Sequence, residues 1–465
     1  KLTMKKLLLI LLCLPMIGFG QGWNQVGLDV DGEASNDRSG HAVALSGNGS
    51  IMAVGALAAA DINGVNTGHV RVYQDFNGVW IQIGQDIDGE FTGDGSGSSV
   101  SLSNDGSIVA IGAPYSSDTF GDAGHVRVYQ NVGGTWIQIG QDINGDSADD
   151  QSGRSVSLNY SGTLLAVGAP GASGQSMNGK VKIFENNGAN WVQIGQDISG
   201  EAAEDQSGYS VSISGDGAIV AIGAKENDGS ALDAGHVRVY ENSGGSWVQV
   251  GQDIDGEASG DDFGREVSLN DNGNIFAVGA SSNDGTGSNA GHARVYENIM
   301  GVWTQIGQDI DGEAANDYFG KSVSLNNTGT ILAVGGYMND GNNQSTSNKG
   351  HVRVFNNVGG SWFQIGQDID GEAANNYSGA SLCLSNSGEK IVIGAPFNAD
   401  NGTASGHARV YENTSIPASM LDINNTNSKV IKIVDMLSRD VNMKSNQLLF
   451  YIHENGKVDK RIIIE

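Results

Sequence analysis

Ser96-Gly-Ser-Ser-Val-Ser-Leu-Ser-Asn-Asp-Gly-Ser-Ile-Val-Ala-Ile-Gly-Ala113, then Gly124-His-Val-Arg-Val-Tyr129, then Thr135-Trp-Ile-Gln-Ile-Gly140, is one complete copy of a pattern that the chain repeats. Val100 and Leu102 alternate with Ser99, Ser101 and Ser103, the two-residue period of a strand with one apolar face. Asn104-Asp-Gly106 is a tight-turn signal, because glycine takes a positive φ without steric cost. Residues 108–113 are apolar on both faces, as in a strand buried between neighbours. A variable polar loop (114–123) leads to a third strand at Val126-Arg-Val-Tyr129. Trp136 opens the fourth.

The pattern recurs at a fixed interval. Trp23, Trp80, Trp136, Trp191, Trp247, Trp303 and Trp362 are 57, 56, 55, 56, 56 and 59 residues apart. Such a period means stacked supersecondary units. Four short antiparallel strands per unit and seven units predict an all-β chain, a seven-bladed β-propeller, in which radial repetition leaves only short, protected edges. A linear solenoid is the alternative. It would need atypical polar caps, and neither end unit differs in that way. The units begin on the tryptophan strand and stop after Val410-Tyr411, so the last blade lacks an outer strand. Residues 23–27 are expected to supply it, beside 382–384, 391–395 and 408–411, closing the ring and covering an open edge.

Composition agrees. The chain has 465 residues with 70 Gly and 5 Pro, which suits many turns between short antiparallel strands. The net charge of −28 lies mainly in the repeats and repels phosphate backbones, which argues against a nucleic-acid partner. Cys13 lies in the leader and Cys383 in a strand, so a processed chain has no internal disulfide and packing must supply stability.

The two ends read as addresses. Met4, Lys5 and Lys6, the apolar run 7–17 and Gly18-Phe-Gly20 predict a secretory signal peptide over 1–20. The run is short for a bilayer span, and no other segment is long and apolar enough, so no transmembrane segment is expected in the mature chain. The propeller is expected over 21–414. From 415 to 465 glycine thins and lysine rises. Alternating residues at 430–441 and 448–464 predict three or four strands of a small β-sandwich.

That tail carries Ile433-Val-Asp-Met-Leu-Ser-Arg-Asp440, Leu448-Leu-Phe-Tyr-Ile452, Asn455-Gly-Lys-Val458 and Lys460-Arg-Ile-Ile-Ile-Glu465. It resembles the C-terminal sorting domain of the Bacteroidetes type IX secretion system, departing from it at Ser438, where the family has glycine, and in a weak N-P-type opening. The resemblance implies type IX secretion machinery as a partner, and a product that is secreted or held at the outer-membrane cell surface.

The units resemble FG-GAP repeats, the blades of integrin-α propellers. The residues that carry this are Phe263-Gly264 and Phe319-Gly320 of an F-G-x-x-V motif, Val278-Gly-Ala280, and the literal Gly112-Ala-Pro114, Gly168-Ala-Pro170 and Gly394-Ala-Pro396. Other units have Ser-Gly instead, as at Ser39-Gly40 and Ser96-Gly97. The resemblance implies a propeller and adhesion or ligand binding. The family's calcium hairpin is degraded at Asn104-Asp-Gly106 and Gly215-Asp-Gly217 and is not carried over.

A different acidic pattern places oxygens at relative positions 1, 3, 5 and 9: Asp253, Asp255, Glu257 and Asp261; Asp309, Asp311, Glu313 and Asp317; Asp29, Asp31, Glu33 and Asp37; Asp86, Asp88, Glu90 and Asp94. Alternate oxygens of a tight loop can face one cation, which makes these candidate calcium ligands. Asn144 and Ser199 weaken two copies, and Gly256 sits at position 4 rather than 6. The competing reading is a solvated acidic turn.

His69, His125, His236, His292, His351 and His407 each precede the arginine strand. Copies a blade apart are too distant to share one metal, so they are expected to pack. Arg71, Arg127, Arg238, Arg294, Arg353 and Arg409 are expected to pair with acids as exposed pairs, and the tryptophans to wedge blades together. The off-pattern Lys180, Lys225-Glu226 and Tyr337-Met338 form no evident acid–base set. Variable loops at 57–67, 114–123, 225–234, 281–290, 336–349 and 397–405 should share one face. The leading expectation is therefore a non-enzymatic, secreted or cell-surface propeller that binds a protein or glycan through this face. The alternatives are an extracellular polysaccharide-acting enzyme, which would need a His/Tyr/Arg cluster or paired carboxylates that break the repeat, and a passive envelope protein.

Overall fold

The computed structural model describes residues 22–60, 65–171, 177–340 and 347–413, and the backbone of 430–434, 448–453 and 458–462. The expected leader at 1–20 lies outside the described residues. Contacts divide the chain into two units, Lys1–Ile416 and Pro417–Glu465.

The first unit holds seven antiparallel sheets. Blade 2 shows the plan. Its inner strand Ser99–Leu102 pairs with Ile108–Ala113, which pairs with His125–Val132, and that strand carries Thr135–Gln138 on its outer edge. A further strand, Ile143–Asn144, pairs with the other end of His125–Val132. Trp136 to Asn144 is thus one outer strand broken at Gly140, whose φ of 76° only glycine adopts freely. The acidic stretch expected as a turn after the outer strand therefore begins inside it. The Asp255, Asp88, Asp311 and Asp31 backbones all pair with a third strand, opposite His236, His69, His292 and His407.

The ring closes as expected. Asn24–Gln25 pairs with His407–Glu412 of blade 7, with Asn24 opposite Glu412 and Gln25 opposite Tyr411. Val30–Asp31 pairs with the same strand opposite Ala408 and His407.

The core lies between blades. One cluster joins Val237 and Val239 of blade 4 to Phe263, Val267, Phe276 and Val278 of blade 5, with Tyr296 and Trp303 at its outer side. Each such side chain contributes roughly 1.5–3 kcal/mol on burial. Polar contacts lock the same junctions. Every tryptophan indole N–H donates to a carbonyl of the preceding outer strand, Trp136 to Ile83 at 2.8 Å for example, and Trp23 completes the circle onto Ile365. At the end of the axis away from the variable loops, backbone amides of Gly47, Asn104, Tyr160, Gly215, Asp271, Asn327 and Asn386 each donate to the next carbonyl, and Asn386 returns to Gly47. That seven-membered hydrogen-bonded ring narrows the far end of the channel.

In the second unit, Val430–Val434, Leu448–His453 and Val458–Ile462 pair antiparallel in that order. The remainder of the expected sandwich lies outside the described residues. Among the described residues no helix is long and apolar enough to cross a membrane.

Candidate active site

Each inner strand enters the axis through a Ser-Gly or Phe-Gly step. Gly97 has φ 87°, and a Cβ there would stand 2.6 Å from the His69 carbonyl oxygen of the preceding blade. Equivalent glycines, Gly40, Gly153, Gly208, Gly264, Gly320 and Gly379, are held at φ 81–90°. This glycine turns the chain so that the next residue lines the axial pocket. In blades 1, 5 and 6 the step is also a register shift, between Ser39 and Ala42, Phe263 and Glu266, and Phe319 and Ser322. Such bulges re-aim side chains.

The residue that follows the glycine is His41, Ser98, Arg154, Tyr209, Arg265, Lys321 or Ala380, in blade order, and all seven line one axial pocket of about 280 Å³. Glu266, one position further on, replaces a residue that is serine or alanine in the other blades. The backbone is nearly sevenfold symmetric, but the chemistry is not.

Arg154 Nη2 donates to the Tyr209 hydroxyl oxygen at 2.6 Å, and its guanidinium lies 4.5 Å from the Tyr209 ring centre. Lys225 Nζ is 4.9 Å and Arg265 5.7 Å from the same ring. Burial alone would raise the Tyr209 pKa. Arg154 first, then Arg265, Lys321 and Lys225, pull it down to about 7. Glu266 moves the other way: burial lifts it to about 7 against the opposing pull of Lys321 and the two arginines. Burial and the charge of Arg265 lower Lys321 to about 8. Burial, then Arg154 and Lys321, lower His41 to about 3, so its imidazole is neutral. These groups keep some contact with channel water but are walled in by protein, where confined water screens poorly. The result is a cationic pocket in a strongly anionic protein, with two proton-transfer groups poised near neutrality.

One side of the mouth is aromatic. Tyr318 and Tyr337 are 5.8 Å apart, Tyr337 and Tyr377 5.8 Å, and Tyr377 and Phe397 5.0 Å between ring centres. Tyr318 and Tyr377 hold φ values of 51° and 55°, a strained backbone region for bulky residues.

The candidate calcium positions take separate places. Asp253, Asp309, Asp29 and Asp86 accept from Gln249, Gln305, Gln25 and Gln82. Glu257, Glu313, Glu33 and Glu90 reach Arg294, Arg353, Arg71 and Arg127 of the following blade. Asp261, Asp317, Asp37 and Asp94 are buried and accept the backbone amides of Ala258, Ala314, Ala34 and Phe91. Asp255, Asp311, Asp31 and Asp88 stand beside the histidines in register. What converges is mixed: Glu201, His236 and Asp253; Glu257, His292 and Asp309; Glu313, His351 and Asp368; His69, Asp86 and Asp88; and Asp29, Glu372, Asp400 and His407. The arginines are paired, as expected, but are buried at 6–8 % exposure rather than exposed.

No protein-family model matches the chain, nor does any curated relative. Solved structures match its shape. The chain is similar to Kuenenia stuttgartiensis hydrazine synthase, at 13% identity and TM-score 0.53 over 84% of this chain and 98% of that one. It is similar to a "putative 6-phosphogluconolactonase" of Bacteroides uniformis, at 10% identity and TM-score 0.51 over 89% and 97%. The periplasmic gluconolactonase of Pseudomonas aeruginosa follows at 16% identity, TM-score 0.47, over 71% and 86%. At these identities the likeness shows the fold.

The chain is a seven-bladed propeller. The expectation of a non-enzymatic adhesion propeller is corrected at the axis, which carries a convergent acid–base set absent from the sequence-based expectation. Tyr337 and Phe397, at the bases of the variable loops 336–349 and 397–405, join the pocket wall.

Proposed function

We propose that the axial pocket is the active site of a hydrolase whose substrate is a small anionic sugar derivative, a sugar lactone above all. The observation that carries this is the single repeat position filled by His41, Arg154, Tyr209, Arg265 and Lys321 from five blades. A volume of about 280 Å³ is at the small end for ligand pockets (roughly 300–1,000 Å³) and favours one ring over a chain of them. The three cations attract a carboxylate or phosphate, and the Tyr337–Phe397 wall offers apolar faces to a sugar ring. Tyr209, ionised near pH 7, takes a proton from water. The resulting hydroxide adds to the lactone carbonyl carbon while Arg265 and Lys321 stabilise the oxyanion. The ring C–O bond then breaks, and the expelled oxygen recovers the proton from Tyr209, giving the hydroxy acid. The lactonase name of the Bacteroides uniformis propeller supports this class by analogy of fold alone.

The assay is release of acid from sugar lactones with and without an anionic substituent. The anionic lactones should turn over faster, and Tyr209→Phe should cost about 10²–10⁴-fold in kcat with an unchanged melting midpoint. Lactone turnover that Tyr209→Phe leaves intact would refute the assignment. Parallel incubation with uronate-bearing oligosaccharides separates it from the polysaccharide-acting alternative.

We further propose, on the sequence resemblances, that the units are FG-GAP-like, that 1–20 and 415–465 are a leader and a type IX sorting segment, and that the enzyme acts outside the cell. Mass spectrometry of the protein in the medium, showing both segments removed, is the corresponding test.

A further inference from the structure

The seam where the ring closes differs from the other blade junctions. Asp29 comes from the closing segment, Glu372 from the link between blades 6 and 7, and Asp400 and His407 from blade 7. One ligand atom of each lies within 4.8 Å of all the others. Among the described residues, four other junctions bring together only three such groups. At two of them an arginine pairs with two carboxylates, Arg294 with Glu257 and Asp309 and Arg71 with Glu33 and Asp86. At the seam Arg409 Nη1 reaches only Glu372, at 3.1 Å, and among the described residues no cation lies within ion-pair distance of Asp29 or Asp400 apart from His407 itself.

His407 points into this cluster. Its side chain is 1% exposed, and neither ring nitrogen has a hydrogen-bond partner, an uncompensated desolvation. Nδ1 stands 3.5 Å from Asp29 Oδ2 and 3.9 Å from Asp31 Oδ1. The carboxylates are already oriented from behind. Gln25 donates to Asp29 Oδ1, Asn398 Nδ2 donates to Asp400 Oδ2 at 3.0 Å, and Arg409 holds Glu372. Outer partners of this kind fix ligand direction in metal sites.

We infer that the seam binds one divalent transition-metal ion, of the zinc(II) class, through His407 Nδ1 and one carboxylate oxygen each from Asp29, Glu372 and Asp400. The imidazole selects against calcium and magnesium, which take all-oxygen sets, and four donors suit tetrahedral zinc. Ligand distances of about 2 Å require the carboxylates to close inward slightly, and Glu372 and Asp400 are exposed enough to do so. The ion would tie the closing segment to blade 7, independently of any activity at the axis.

The test uses the full chain freed of metal. Zinc titration by calorimetry should give one site per chain and raise the melting midpoint by several degrees, while calcium does neither. Cobalt(II) should give the visible d–d bands of a four-coordinate site. Asp400→Asn, an exposed change that leaves the fold intact, and His407→Gln should each weaken zinc at least tenfold. His292→Gln, at the matching place in blade 5, should not. Absence of zinc binding, or binding that survives both seam substitutions, overturns the proposal.

Discussion

At the scale of single residues, the axial site links activity to pH through charges that face one another. Tyr209 must be ionised to accept a proton, and its pKa of about 7 makes the rate rise with pH through that value. Lys321 must stay charged to stabilise an oxyanion, and its value of about 8 makes the rate fall above it. The expected kcat/KM profile is a narrow bell between the two, its limbs belonging to the coupled cluster and not to either group alone. Lys321→Met should remove the alkaline limb. It should also move the acid limb to higher pH, because Tyr209 loses one of the cations that pull it down. An acid limb that stays in place in this variant would show that Lys321 does not act on Tyr209.

At the scale of the strand, the outer edge of each blade is tied to the next by a reciprocal pair. Gln85 Nε2 donates to the Trp136 carbonyl while the Trp136 amide donates to Gln85 Oε1, and Gln141, Gln196, Gln252 and Gln308 repeat this with Trp191, Trp247, Trp303 and Trp362. The closing segment has Leu28 at this position, 86% exposed, and its partner Trp80 is only half-buried. Leu28→Gln should restore both bonds at about 0.5–1.5 kcal/mol each and raise the melting midpoint by about 1–3 °C. Calorimetry that shows no rise would mean this edge is already satisfied by water. These strands were legible in the sequence because seven copies of one apolar pattern reinforce each other, and the Trp strand announces each outer edge. The site was not, because its residues are about a blade apart in sequence and each looks like an ordinary variable position. The signal lies down the repeat: the residue after Ser-Gly or Phe-Gly reads His41, Ser98, Arg154, Tyr209, Arg265, Lys321, Ala380. In an F-G-x-x-V pattern the first x looks like a spacer along the chain, yet in the ring it is the lining of the axis.

At the scale of the whole ring, a positive axis inside a chain of net charge −28 works only while the seven blades stay closed, because closure is what brings residues from five blades to one pocket. The closing segment is therefore part of the site's architecture without touching it. Trp23 is 4% exposed and bonds to Ile365, Val30 packs with Val54, Val392 and Val410, and the Val26 carbonyl accepts from Trp80. Deleting residues 23–30 removes all of these and bares the third strand of blade 7 along its length. Loss of a buried tryptophan alone costs about 3–5 kcal/mol, so the melting midpoint should fall by about 5–10 °C. The exposed edge should also recruit other chains and appear as oligomers in size-exclusion chromatography. Lactone turnover should fall with it in parallel, since opening the seam between blades 7 and 1 releases His41 from the cluster. A deletion variant that melts and elutes like the intact chain would mean that the ring is held by the remaining junctions, and that this strand is an ornament on blade 7 and not its clasp.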